Sequence, residues 1–110
     1  MVYDSFVTTS FDVKGYKIVE QYGVVRGIIV RSRSLLGNIG GMMQSLFGGD
    51  ISIYTELCEK TRQDAYKQMI THAEARGANA VIGLRYDAND VMNGITEVLC
   101  YGTAARIEKE

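Results

Sequence analysis

The chain has 110 residues, 46% of them apolar and 23% charged, which suits one globular domain with an ordinary hydrophobic core. A formal net charge of −1 offers no long-range pull on nucleic acid or an acidic membrane surface, so neither is expected as a partner. Pro is absent, which removes Pro-rich linkers from consideration.

In chain order, residues 2–9 read as a short strand, broken at Asp12 to Gly15. Residues 16–31 are β-rich, with Ile18, Val19, Tyr22, Val24, Val25, Ile28, Ile29 and Val30. Gly23 and Gly27 interrupt that run, which predicts either one kinked strand or a hairpin.

Residues 35–47 follow an amphipathic helical pattern, with Leu35, Leu36, Ile39, Met42, Met43, Leu46 and Phe47 on one stripe. Gly37, Gly40 and Gly41 weaken it, and no charge occurs from Ser34 to Gly49. A core helix, a subunit interface and a membrane or peptide groove all fit such a stripe. Thirteen residues make a helix of only about 20 Å, too short to cross a bilayer. The pairs Gly40-Gly41 and Gly48-Gly49 lack a following Lys-Ser/Thr, so they form no phosphate loop.

A long helix follows. At about 100° per residue, Tyr54, Leu57, Cys58, Thr61, Ala65, Met69, His72 and Ala73 share the face expected to meet the sheet. Asp50 or Ser52 can cap its start, and Gly77 stands where its end needs a left-handed residue. Residues 80–86 then read as a buried strand and residues 95–107 as another. Asn93-Gly94 between them suits a type I′ turn and predicts an antiparallel hairpin.

Candidate chemistry is sparse. Cys58, His72 and Cys100 are the soft-metal candidates, and both cysteines are expected to be buried small hydrophobes. Cys58 and His72 lie about 21 Å apart along one helix axis, so they cannot share an ion within a subunit. Soft-metal sites need three or four ligands, so no resident cofactor is expected. Asp87, Asn89 and Asp90 read as a solvated turn rather than a hard-cation site. Arg31 and Arg33 suit a surface role or an ion pair. An enzymatic alternative would assemble Tyr22, Arg85, Asp87 and Glu97 between subunits, but no acid or base stands beside a nucleophile in the sequence. The start, Met1-Val-Tyr-Asp-Ser-Phe, lacks the basic and apolar regions of a signal peptide, so a reducing, cytoplasmic location is expected.

The segments Ile18-Val-Glu-Gln-Tyr-Gly-Val-Val-Arg-Gly27, Arg76-Gly-Ala-Asn-Ala-Val-Ile-Gly-Leu84 and Tyr101-Gly-Thr-Ala-Ala105 flank the two helices in a fixed order. That order resembles the YbjQ-like family of small bacterial and archaeal proteins, over essentially the whole chain. The family is sometimes labelled heavy-metal-binding and has no established reaction. The resemblance implies a two-layer, dodecin-like α+β subunit, with one long helix and a shorter Gly-interrupted helix on an antiparallel sheet. It also implies assembly as a homopentameric ring. The metal label carries no residue over, because Cys58, His72 and Cys100 lie outside the segments that carry the likeness.

Overall fold

In the computed structural model, residues 1–32, 52–92 and 94–110 are described. The order is a single 3-10 turn (Asp4–Phe6), strand β1 (Tyr16–Ser32), helix α1 (Ser52–Ala75), strand β2 (Ala80–Met92) and strand β3 (Ile95–Lys109). The three strands form one antiparallel sheet in the order β1-β3-β2, and α1 crosses one face of it. The expected second helix at residues 35–47, the Asp50 cap and Arg33 lie outside the described residues, and Ser52 is the first residue of α1, with its side chain outside what is described.

β1 is one strand, not a hairpin. Its pairing with β3 shifts register between Ile18 and Glu20 and between Gln21 and Gly23. Two bulges absorb the kink that Gly23, at φ 92°, foretold. Gly27 has another purpose. A Cβ there would overlap the carbonyl oxygen of Ala65 and stand 2.8 Å from the amide nitrogen of Met69. The glycine lets helix backbone rest directly on the strand.

The end of α1 follows from its sequence. The Ala78 amide donates to the Ala73 carbonyl at 3.2 Å and the Gly77 amide to that of Glu74 at 3.0 Å. With Gly77 at φ 86°, this is a Schellman cap. β2 and β3 then form the expected hairpin, and β2 runs on to Met92, beyond the expected end at residue 86.

The expected strand at residues 2–9 is corrected. The Phe6 amide donates to the Tyr3 carbonyl at 2.9 Å and the Val7 amide to Asp4 at 3.1 Å, closing a turn instead. The helix holds that turn in place. Val2 donates its amide to Glu74 at 2.8 Å, and the Tyr66 hydroxyl donates to Asp4 at 2.7 Å. Only a single bridge, Val7 to Val81, keeps β character.

Val25, Ala65, Met69, Ala73, Val81, Cys100 and Ala104 are the heart of the core between helix and sheet. Side chains alternate across a strand, so the register assigns the two faces. Gly27 opposite Cys100 and Ile29 opposite Val98 lie under the helix. Val24 opposite Thr103, Arg26 opposite Tyr101, Ile28 opposite Leu99 and Val30 opposite Glu97 lie on the other face. Among the described residues no element covers that second face along these rows. Val24 is 61% exposed and Val30 53%.

Candidate functional site

The helix meets the sheet through Leu57, Thr61, Ala65, Met69 and Ala73, a stripe of every fourth residue that is buried from Thr61 onward. Cys58 and His72 each sit beside a stripe residue in sequence, and so about 100° away from it around the helix. This corrects the expectation that both face the sheet. Cys58 is exposed, not buried. It borders a cavity of about 130 Å³ with Arg31, Thr61, Arg62, Ala88, Thr96 and Val98.

His72 leans over the outer edge of β1. Its Nδ1 lies 2.6 Å from the carbonyl oxygen of Arg26, and because a carbonyl only accepts, that nitrogen carries the proton. Gln68 and Arg76, one turn to either side, do the same work. The Ile28 amide donates to Gln68 Oε1 at 2.6 Å, and Arg76 Nη1 donates to the carbonyls of Tyr22 at 3.0 Å and Val24 at 3.1 Å. Three side chains at helical spacing thus stand in for a neighbouring strand. This ladder was not expected from the sequence; the i, i+4, i+8 run of long polar side chains beside the buried stripe is its signal.

Cys100 is buried as expected. Its Sγ lies 3.7 Å from Met69 Sδ, a weak contact between soft groups. Burial pushes the thiol above its ordinary pKa, against a smaller opposing hydrogen bond with Tyr86. Burial together with the nearby thiol pushes Tyr86 up to about 12. Neither group ionises near neutrality. A thiol reagent should therefore modify one cysteine per native chain quickly, and the second only in denaturant. The Cys58→Ser variant should lose the fast phase, and equal rates for both thiols in native protein would contradict this placement.

The remaining candidates are scattered. Arg85 and Asp87 alternate with Tyr86, which lies opposite Cys100 under the helix, so they join Glu97 on the uncovered face, whereas Tyr22 packs against the core. Arg85 Nη1 donates to the carbonyls of Thr9 at 3.0 Å and Leu84 at 2.7 Å. The Tyr101 hydroxyl bonds Asp87, which raises the tyrosine's pKa. Asp87, Asn89 and Asp90 are strand residues, not a turn. Asp90 accepts from Thr96 on the helix side at 3.2 Å, while Asp87 and Asn89 belong to the other face. Arg31 pairs with Asp64 at 3.4 Å. Among the described residues no three His, Cys, Asp or Glu side chains gather where an ion could be held.

A family model described as "Putative heavy-metal-binding" (YbjQ) matches residues 5–108. A UPF0145 protein of Chromobacterium violaceum is 62% identical over 102 residues, covering 93% of this chain and 87% of the relative. A UPF0145 protein of Burkholderia mallei is 57% identical over 100 residues, covering 91% and 90%. A crystal structure of a protein of unknown function from the DUF74 family of Pediococcus pentosaceus shares the fold, with TM-score 0.62 and 19% identity over 94% of this chain and 97% of that one. With a family model spanning nearly all of the sequence and such near relatives, the chain belongs to the YbjQ-like, UPF0145 family.

Proposed function

We propose that the protein is a non-enzymatic binding module of the cytoplasm that works as a closed homo-oligomer, a pentameric ring of dodecin-like subunits. The sheet face that no element covers among the described residues carries this reading. Val24, Ile28 and Val30 are exposed on it, with the half-buried Leu99 and Tyr101 beside them and Arg26 between Val24 and Ile28. Single exposed apolar residues are ordinary, but several gathered on one sheet face are the mark of an interface. The ring number rests on the family resemblance. Binding is favoured over catalysis because Arg85 and Asp87, the groups best suited to chemistry on that face, already bond Thr9, Leu84 and Tyr101.

The described residues do not fit a heavy-metal site within one subunit. Cys58 is exposed between two arginines, Cys100 is buried with its thiol protonated, and His72 stands about 21 Å along the helix from Cys58. Light scattering coupled to gel filtration, at micromolar protein, should give a mass several times 12.2 kDa. A monomer would sink the proposal.

A further inference from the structure

Beside the ladder of Gln68, His72 and Arg76, between α1 and the outer edge of β1, lies a cavity of about 420 Å³ lined by Val24, Val25, Arg26, His72, Ala75 and Arg76. Its hydrogen-bonding groups fix what it can take. The backbone acceptors are occupied: the carbonyls of Tyr22 and Val24 receive Arg76 Nη1 at 3.0 and 3.1 Å, and that of Arg26 receives His72 Nδ1 at 2.6 Å. What remains is donors. Arg76 Nε and Nη2 and the exposed Arg26 guanidinium make no hydrogen bond among the described residues, and no carboxylate among those residues lines the cavity. The Ala73 and Glu74 carbonyls at the end of α1, which would repel an anion, are turned onto the amides of Arg76, Gly77 and Ala78.

We infer that this cavity binds a small soluble oxyanion of the phosphate monoester class. The inference rests on the binding reading proposed above and names its ligand class, but it needs no second copy, so it stands or falls whatever mass the protein shows. Guanidinium groups suit the ligand because their N–H groups match phosphate oxygens in pairs. A net charge of −1 gives the chain no long-range pull toward an acidic membrane, which favours a soluble anion over a lipid headgroup. His72 adds a dependence on pH. Its Nδ1 proton is committed to the Arg26 carbonyl, so Nε2 of the neutral ring offers a lone pair, which an anion avoids. Nε2 donates only when the ring takes a second proton. The charged groups that line the cavity with His72 are Arg26 from β1 and Arg76 from α1, and both oppose that proton until an anion lies between them. Binding therefore draws a proton in, and affinity rises as pH falls.

Sulfate is the probe, because it stays doubly charged at both pH values and leaves His72 as the titrating partner. The full chain is titrated with sodium sulfate at constant ionic strength, balanced by sodium chloride, and backbone amide shifts are followed by NMR at pH 6 and at pH 8. The amides of residues 22–26 and 72–76 should move together and saturate, with affinity severalfold tighter at pH 6. Arg26→Gln should weaken binding about fivefold, the effect of one surface ion pair. His72→Gln can keep an N–H on the Arg26 carbonyl, so the fold should hold while the difference between the two pH values disappears. Arg76 is left in place because it also ties down β1. Arg62→Gln is the control: that guanidinium lies over the Tyr86 ring at 5.5 Å, on the β2 side of the helix, and its loss should change nothing. Equal losses from Arg26→Gln and Arg62→Gln would mean diffuse surface charge, and would overturn the inference. So would amides that fail to saturate, or an affinity that ignores pH in the wild-type chain. Co-sedimentation of the protein with vesicles containing phosphatidic acid would assign the cavity to a lipid headgroup and overturn it as well.

Discussion

Replacing Gly27 by alanine is expected to cost the fold about 3 kcal/mol or more, read as a lowered urea midpoint at unchanged slope. The new Cβ would be driven into the Ala65 carbonyl, with the Met69 amide 2.8 Å away. Both are helix backbone, so neither can swing aside as a side chain can. Either α1 lifts from the sheet or β1 bows outward, and each movement opens the packing of Ala65 and Met69, which are fully buried. Gly15 is the control. It has positive φ, at 84°, which Gly27 does not, but an added Cβ meets nothing within 4 Å. Alanine there should cost only the left-handed strain of about 1–2 kcal/mol. Equal effects at the two sites would mean that the close approach does not hold the layers together.

The contrast shows what the sequence could disclose. A glycine inside a β-rich run signals that something special happens, and the bulge near Gly23 is the kind of event expected. Nothing local separates Gly23, which bends the strand, from Gly27, which admits a helix. That difference depends on what lies above the sheet, and the helix is far away in sequence. The long helix, its Gly77 cap and the β2–β3 hairpin were legible because local hydrogen bonding decides each of them. The N-terminal strand was misread because its partners, Glu74 and Tyr66, are tertiary.

The same limit governed the candidate site. Angular counting at 100° per residue draws a broad apolar face and takes in Cys58 and His72. The buried stripe is narrower, a row of every fourth residue from Thr61 to Ala73, because Gly27 lets the helix sit low and only its lowest row is fully buried against the sheet. Cys58 is thereby released to solvent, and His72 is free to reach the Arg26 carbonyl. The uncovered face left its own trace as alternation. Val24, Ile28 and Val30 share it with Arg26, so polar and apolar residues are mixed on the side that hydropathy would assign to water.

Placing a carboxylate on that face should separate assembly from folding. In Val24→Asp and Val30→Asp the new side chain replaces groups that are 61% and 53% exposed in a single subunit. A lone chain would barely notice, since substitutions at exposed positions usually stay within about 0.5 kcal/mol, apart from a modest loss of β propensity. In an assembly that buries the face, each copy would carry an unpaired charge into an apolar contact, costing several kcal/mol per joint. The measured mass should then fall toward 12.2 kDa while the far-UV helix signal persists. Arg26→Ala, between the two valines on the same face, should be far milder, because it removes a charge rather than burying one. An unchanged mass in both aspartate variants would show that the face stays in water and that copies meet elsewhere. Loss of the helix signal together with mass would show instead that these valines support the subunit itself, contrary to their exposure.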